Sequence, residues 1–366
     1  MIDILKFFIE ISVLILIHEA GHFIVAKRAG VWVEEFGFGL PPRIIGLKRG
    51  ETLYSLNLLP FGGFVKLHGE NDADKVAKPT RAFANLAPGK KIPIIVAGVV
   101  MNFLLAIVLF SISYSITGIP KRTADVRVAE VSEGSPAQAA GILSGDIITS
   151  IDSENVTSVE AFQEKTESKK GTEVTLMLAR SGEAVETKLT PRVQVEEDEG
   201  AIGVAITDYE TYFPSIWQRP FVGAYYGVKE AIFWGGAVVL GFGSLIVNML
   251  KGIAPVGITG PVGVYALTTQ AARYGYLSLI NFVGILSVNL AILNIMPFPA
   301  LDGGRLVFIV FEKVFKKKVS PKIEGYIHMT GMAILLLLIV AVTYSDIKNL
   351  IEAGSVKGFI EKAMGG

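Results

Sequence analysis

Four long runs of apolar residues stand out along this chain, and segments with alternating apolar and polar positions lie between them. The runs cover approximately residues 4–28, 92–118, 277–297 and 327–344. Since an α-helix rises about 1.5 Å per residue, a run of about 20 residues crosses the roughly 30 Å hydrocarbon core of a bilayer. The pattern therefore predicts four transmembrane helices.

A fifth apolar stretch, residues 231–250, is predicted not to cross the membrane. It is rich in glycine, which weakens an isolated helix. The candidate metal ligands His18, His22 and Asp302 can lie at the same depth in the membrane only if an even number of crossings separates residues 121–195 from residue 277. Zero is the simplest even number. We expect residues 231–250 to lie along the outer interface, or to dip in and return, within a linker of residues 196–276.

Residues 121–195 contain short strands in which apolar and polar positions alternate, which predicts a β-rich soluble domain. Residues 134–146 read GSPAQAAGILSGD, so that a turn leads into a short helix and Gly145-Asp146 restarts a strand. This signature resembles that of bacterial PDZ domains. The predicted fold class is therefore a polytopic α-helical membrane protein with an inserted PDZ-like domain.

A second β-rich segment, residues 51–67, has the sequence ETLYSLNLLPFGGFVKL. Its two β-type runs flank Pro-Phe-Gly-Gly, which is typical of a turn. Its high apolar content suits a hairpin that lies against a membrane or an extended substrate. We therefore expect a membrane-associated β-hairpin between the first two helices.

The composition agrees with a membrane protein. Of the 366 residues, 51% are hydrophobic and 19% charged, where a soluble domain has about 25% charged residues. The formal net charge of zero gives no basic surface, so we expect no nucleic-acid partner. Cysteine is absent, which excludes a cysteine nucleophile, thiolate metal ligands and disulfides.

The N-terminal run has no clearly basic start and no small-residue cleavage site, so we interpret it as a retained helix.

Lysine and arginine counts near the spans predict the orientation in the membrane. Residues 27–91 carry eleven Lys and Arg against six Asp and Glu, and residues 312–325 carry five against two. Residues 119–219 carry ten against eighteen. The two basic segments are therefore expected in the cytosol and the PDZ-like domain outside it, as in a multi-pass protein of a bacterial inner membrane.

The first apolar run contains HEAGH, which places His18, Glu19 and His22 in the middle of a predicted transmembrane helix. On a helix, His18 and His22 share one face and can bind one Zn²⁺, with Glu19 beside them to handle protons. An ionisable residue at the centre of a bilayer costs roughly 2.5–3.5 kcal/mol. Three of them in one helix favour a metal site over a buried polar network.

Catalytic zinc has three protein ligands and one open position, so a third ligand must come from elsewhere. The two other histidines, His68 and His328, are candidates, but both lie where an interfacial histidine is common. Asp302 is the only acidic residue between Leu277 and Phe311. We favour Asp302.

The residues around Asp302 support this choice. Pro297 and Pro299 end a helix just before it, and Gly303-Gly304 allow close backbone approach. Irregular backbone at membrane depth is tolerated only where it lines a cavity or meets a partner. The alternative is that Asp302 only caps the helix that follows.

Together these motifs resemble the site-2 protease family of intramembrane zinc metalloproteases, of the bacterial RseP/RasP type with a PDZ domain. The matching segments, in the same order along the chain, are HEAGH at 18–22, GVVMNF at 98–103, the PDZ-like signature, GPVG at 260–263 and NIMPFPALDGG at 294–304. The resemblance implies that His18, His22 and Asp302 bind zinc and that Glu19 is the catalytic base.

The resemblance also implies that Asn102 and Asn294 hold the substrate or stabilise the oxyanion, and that the hairpin pairs with an unwound substrate. The implied substrates are single-span membrane proteins, already trimmed by another protease, such as anti-sigma factors or remnant signal peptides. This chain departs from the best-known relatives in having room for one PDZ domain, not two. The alternative function is a non-proteolytic zinc transporter or a PDZ scaffold.

Overall fold

The structure is a computed structural model that describes residues 2–70, 77–194, 200–252, 259–317, 319–355 and 358–359. The chain divides into two compact units. The helical unit comprises Met1–Ile116 and Pro220–Gly366, and the β-rich unit comprises Thr117–Arg219.

The described residues of the helical unit form seven α-helices, two strands and two short 3-10 helices, Pro79–Arg81 and Phe83–Asn85. The α-helices and strands are α1 (Ile2–Arg28), β1 (Val33–Arg49), β2 (Thr52–Leu67), α2 (Pro88–Thr117), α5 (Arg219–Leu250), α6 (Pro261–Arg273), α7 (Tyr276–Ile295), α8 (Asp302–Phe315) and α9 (Pro321–Ala353).

Five of these helices, α1, α2, α5, α7 and α9, are long and apolar enough to cross a membrane, one more than the four predicted. Many of their large apolar side chains are exposed, which suits contact with lipid and not with water.

Helix α2 lies between α1 and α7, and both run antiparallel to it. On α1, Gly21 packs against Ala97 of α2, and His22 bonds to the carbonyl of Ile94. On α7, Gly284 packs against Phe110, while the Ser287 hydroxyl donates to the Asn102 carbonyl at 2.8 Å. Because α2 contacts both partners at its middle, it can position residues of α1 and α7 at one level.

Residues 231–250 form the second part of helix α5. It is one unbroken helix, and its small buried residues recur every four positions: Gly223, Gly227, Ala231 and Gly235. This stripe faces α2, with Gly223 against Ser115 and Gly235 against Phe103, so α5 lies antiparallel to α2 over about three turns. Residues 231–250 therefore belong to one helix that is long and apolar enough to cross a membrane, and the course of this segment in the membrane stays a prediction.

Helix α6 lies at the end of the unit where α5 begins. Tyr265 of α6 contacts the ring of Phe7 near the start of α1, with centroids 5.7 Å apart. The backbone N–H of Gly263 donates to Asp346 near the end of α9 at 2.9 Å. α5 and α7 run in the same direction, and α6 lies near the end of the unit at which both begin.

The strands of the helical unit also differ from the predicted hairpin. β1 and β2 form a two-stranded sheet and meet at Gly50-Glu51. The two runs within residues 51–67 do not pair with each other. Both lie against the first part of β1, where Phe36 is paired with Tyr54 and with Val65. The β-type character was therefore correct and the pairing was wrong, because β1 supplies the partner strand for both runs.

Within its described residues, the β-rich unit contains six strands and two short helices. They are β3 (Ile119–Val131), α3 (Pro136–Ala139), β4 (Ile147–Ile151), β5 (Glu154–Asn155), α4 (Val159–Ser168), β6 (Val174–Arg180), β7 (Glu183–Leu189) and β8 (Val204–Tyr212). The strands form one sheet in the order β7-β6-β4-β3-β8, with β5 paired to β4. Buried residues of the sheet and α4, including Val126, Ile148, Phe162 and Leu176, form its core.

This unit extends beyond the predicted limits of residues 121–195. Strand β8 pairs along β3 from Val131↔Val204 to Ile119↔Tyr212, and Ile202 is 2% exposed in the core. Residues 200–212, which were predicted to be linker, therefore complete the sheet. The reason is that β3 is long and needs a second partner to satisfy its backbone N–H and C=O groups.

The PDZ-like signature has a structural explanation in the same unit. Ser135 caps α3 by accepting from the Gln138 N–H, and Asp146 accepts from the Leu143 N–H and from the Arg180 guanidinium. The hydrogen bond from Arg180 lowers the pKa of the Asp146 carboxyl below its ordinary value. The Gly-Asp pair thus fixes the turn before β4.

Candidate metal centre

The two histidines of HEAGH project from one face of α1, as their spacing predicts. Their Nε2 atoms are 3.1 Å apart, and the rings meet edge to face with centroids 4.8 Å apart. His18 is 6% exposed. Two imidazole nitrogens that face each other this closely share one small volume, which is the arrangement that a bound cation requires.

Asp302 enters this volume from the opposite part of the sequence. Its Oδ2 lies 2.9 Å from His18 Nε2 and 3.2 Å from His22 Nε2. Among the described residues, these three form a group whose ligand atoms all lie within 4.8 Å of one another. The N-cap of α8 is Leu301, and no side chain caps that helix. The structure therefore does not support the alternative in which Asp302 acts only as a cap.

The loop between α7 and α8 holds Asp302 at this position. Ala300 has a φ of +86°, a strained conformation for a residue other than glycine. Its N–H donates to His328 Nδ1 at 3.1 Å, so α9 supports the loop. A side chain on Gly303 would meet the carbonyl oxygens of Ile295 and Met296 at the end of α7. Glycine is therefore required where α8 crosses so close to α7.

Helix α2 supports the two histidines from behind. A methyl group on Gly98 would lie 2.5 Å from His22 Nε2 and 2.7 Å from His18 Nε2. His22 Nδ1 lies 2.8 Å from the Ile94 carbonyl oxygen, which can only accept. His22 therefore carries its proton on Nδ1, and its Nε2 lone pair points at the centre of the group.

Glu19 lies beside the three ligands, at a wall of the adjoining cavity. Its carboxyl group lies next to the backbone of Val65 in β2, and Gly63 packs against its side chain. The cavity has a volume of about 580 Å³, and its walls include Glu19, His22 and Asp302. This volume falls in the range of about 300–1,000 Å³ that is typical of ligand sites.

An ion pair borders the same cavity. Arg305, one turn after Asp302 on α8, bonds to Glu70, which follows β2. The ion pair therefore links α8, which carries Asp302, to the end of β2, the strand next to Glu19. Sequence reasoning missed Glu70 and Arg305, since opposite charges 235 positions apart give no local signal.

Asn102 and Asn294 do not lie where the substrate-holding role implied by the resemblance would require them. Asn102 is 0% exposed and lies behind His18, with its Nδ2 3.4 Å from His18 Nδ1. Asn294 is half-buried in the last turn of α7. Within the described part of the chain, the walls of the cavity include neither side chain. The geometry does not bring Asn102 or Asn294 into contact with the space that a substrate would occupy.

The other two histidines lie outside the group. His68 bonds to Glu34 at 2.7 Å and accepts from the Lys78 N–H, so both of its ring nitrogens are engaged. His328 supports Ala300, as described above. Both therefore have structural contacts, and neither belongs to the three-residue group.

The donor set fits a zinc ion. Two imidazole nitrogens and one carboxylate oxygen are common ligands of catalytic zinc, which keeps a fourth position for water or substrate. The three ligand atoms now contact one another at 2.9–3.2 Å, and the shared space opens to the cavity at Glu19.

A family model for peptidase family M50 matches residues 6–338, which is most of the chain and includes all three candidate ligands. The chain belongs to this family. The match therefore includes residues from both sequence segments that form the helical unit.

Curated relatives of this M50 peptidase match over nearly their whole lengths. A Clostridium acetobutylicum protein, whose name classes it with the zinc metalloproteases, is 36% identical, covering 92% of this chain and 94% of the relative. The zinc metalloprotease RasP of Oceanobacillus iheyensis is 28% identical, with coverage of 96% and 100%. The regulator of sigma-W protease RasP of Bacillus subtilis is 27% identical, with coverage of 95% and 98%.

Solved structures similar to part of this M50 peptidase include the PDZ domain of an SdrC-like protein from Listeria innocua. It is 29% identical and covers 24% of this chain and 99% of that chain, with a TM-score of 0.21.

The family and its relatives show that the protein is an intramembrane zinc metalloprotease and that Zn²⁺ is its cofactor. This finding sets aside the transporter and scaffold alternatives. It also agrees with the five apolar helices and with the site described above.

Proposed function

We propose that His18, His22 and Asp302 hold the zinc ion and that Glu19 is the general base of peptide-bond hydrolysis. The observation that carries this proposal is the convergence of the three ligand atoms within 4.8 Å, next to a carboxylate at the wall of a cavity. Zinc supplies Lewis-acid chemistry and lowers the pKa of its water to about 7.

Glu19 is placed to move protons in this reaction. Its side chain lies against Gly63 and Val65 of β2, which positions the carboxylate at the wall of the cavity. It takes a proton from the attacking water and later gives that proton to the leaving amine. His22 stays oriented through Ile94, so the base and the ligands keep their relative positions.

The substrate is a transmembrane segment that becomes extended beside β2. Gly63 to Val65 of β2 lie next to Glu19 and pair with β1 on one side. An extended peptide that adds along the other side gains backbone hydrogen bonds, and its scissile bond then lies near the base. A helical segment cannot add in this way, so unwinding of the substrate precedes cleavage.

The substrate class is a single-span membrane protein that another protease has already trimmed. The Bacillus subtilis relative is named as a regulator of sigma-W, which supports an anti-sigma factor as one substrate. Remnant signal peptides are a second class of substrate. They too are short membrane helices with few residues outside the membrane. The β-rich unit restricts access by larger, untrimmed proteins.

The location is a bacterial inner membrane, with the β-rich unit outside the cytosol. The excess of Lys and Arg in residues 27–91 and 312–325 supports this orientation. In this topology α1, α5 and α7 run inward and α2 and α9 run outward. The segment that starts with α5 returns to the outer end before α7.

The test is a Glu19→Gln variant of the purified full chain, compared with the parent chain on a single-span model substrate. Both proteins should contain one zinc ion, because the three ligands are intact. Cleavage by the variant should fall by about 10²–10⁴, the usual contribution of a general base. Removing zinc from the parent chain should abolish cleavage, and adding it back should restore cleavage. Near-parental turnover by the variant would show that Glu19 is not the base.

A further inference from the structure

Asn102 has an unusual environment for a buried amide. Its side chain is 0% exposed, and its Nδ2 lies 3.4 Å from His18 Nδ1. Its Oδ1 is buried and has no hydrogen-bond partner among the described residues. A buried acceptor without a partner costs about 1–3 kcal/mol. Such a group in the middle of α2 needs an explanation.

The neighbouring histidine supplies the explanation. His18 Nε2 faces Asp302 and His22, so Nε2 is the nitrogen that offers a lone pair to the metal. A neutral imidazole that offers Nε2 carries its proton on Nδ1. That N–H needs an acceptor, and the amide of Asn102 is the group within reach.

We propose that Asn102 is a positioning residue that sets the tautomer of His18. In the zinc-holding state its Oδ1 accepts from the Nδ1–H of His18. A half-turn of the amide exchanges Oδ1 with Nδ2, and this gives the orphaned oxygen its partner. The inference rests on the proposed zinc ligands.

The other amide orientation suits the state without metal. There the NH₂ group of Asn102 donates to an unprotonated Nδ1, and the proton resides on Nε2, which donates to Asp302 Oδ2 at 2.9 Å. One side chain can therefore support both tautomers, since an amide has a donor and an acceptor at similar positions.

The backbone of Asn102 is fixed for this role. Its carbonyl accepts from the Ser287 hydroxyl of α7 at 2.8 Å, at the contact of α2 with α7. Ile94, two turns earlier on α2, supports His22 through a backbone carbonyl. One helix therefore orients both histidines. Such outer partners of metal-bound histidines contribute about 10–100-fold to metal affinity.

The experiment measures zinc affinity by chelator competition in the full chain, in detergent and without substrate. Asn102→Leu is close in size but cannot accept, so its zinc affinity should fall by about 10–100-fold. Asn102→Asp keeps an acceptor and should bind zinc at least as tightly as the parent chain. Ser113→Ala, a buried position further along α2, is the control for disturbed packing and should match the parent.

Turnover at saturating zinc gives a second measurement. A positioning role predicts that excess zinc restores most of the activity of Asn102→Leu. Thermal unfolding of the zinc-free proteins checks that each variant folds, and Asn102→Ala replaces Asn102→Leu if the leucine variant does not.

Two results would overturn the proposal. One is a parental zinc affinity in the leucine variant, and the other is an aspartate variant that binds as weakly as the leucine variant. A parent chain that binds no zinc would instead refute the proposed ligands, so the two failures are distinguishable.

Discussion

His18 Nε2 lies 2.9 Å from Asp302 Oδ2, although the two residues are 284 positions apart in the chain. The first belongs to α1 and the second to the start of α8, and the whole β-rich unit lies between them in sequence. The metal centre therefore exists only after both halves of the helical unit have packed together.

Asp302→Asn should separate the ligand role from a structural one. Asparagine has nearly the same shape, and it would serve equally well at a helix N-terminus. It lacks the negative charge that a zinc ligand supplies. We expect zinc affinity to fall by more than the roughly 10–100-fold that loss of an outer partner costs. Chelator competition measures this, and a parental affinity would return Asp302 to a structural role.

Gly98→Ala should damage the metal centre while favouring the helix. Alanine is a better helix former by about 1 kcal/mol, but the added methyl group would lie 2.5 Å from His22 Nε2. Overpacking of this kind costs about 1–3 kcal/mol, so zinc affinity should fall about 5–150-fold.

The matched control is Gly89→Ala near the start of α2, where an added methyl group meets nothing within 4 Å. Zinc titration and far-UV circular dichroism of both variants give the comparison. Equal zinc affinity in the two variants would contradict the packing argument.

The dip-and-return course proposed for the segment that starts with α5 predicts a labelling pattern in this cysteine-free protein. Single cysteines at Ser215 and Thr259 should react with a membrane-impermeant reagent on intact cells. A cysteine at Gly236, which has room for a side chain and follows Gly235 beside Phe103 of α2, should stay unreactive because the bilayer covers it.

Protection of Thr259 until lysis would show that the chain does not return before α6. Reaction of the Gly236 cysteine variant in intact cells would show that α5 does not enter the bilayer. Either result would contradict the proposed topology.

Removal of the β-rich unit should loosen substrate selection without destroying the metal centre. Gly223 of α5 packs against Ser115 of α2, so a short glycine-serine linker can replace residues 118–218. We expect parental zinc content, and cleavage of untrimmed single-span substrates that the parent chain refuses. Mass spectrometry of the products measures this. A deletion protein that binds zinc, cleaves trimmed substrate and still refuses untrimmed substrate would contradict the gating role.

Local patterns were enough for much of this protein. HEAGH placed the candidate ligands His18 and His22 on one helix face, with Glu19 beside them, because i and i+4 positions meet on every α-helix. Apolar run length predicted four of the five long apolar helices, and the glycines and prolines around Asp302 predicted an irregular approach to the site. None of these inferences depends on a distant part of the chain.

Tertiary structure decided the features that need a distant partner. The runs within residues 51–67 pair with β1 and not with each other, and β8 completes a sheet that was expected to end earlier. Strands pair through backbone N–H and C=O groups, which nearly all residue types share. A local sequence pattern therefore does not show which strand a segment pairs with. The glycine stripe of α5 has meaning only once α2 lies against it. In the same way, Asn102 became a partner of His18 only when α2 crossed α1.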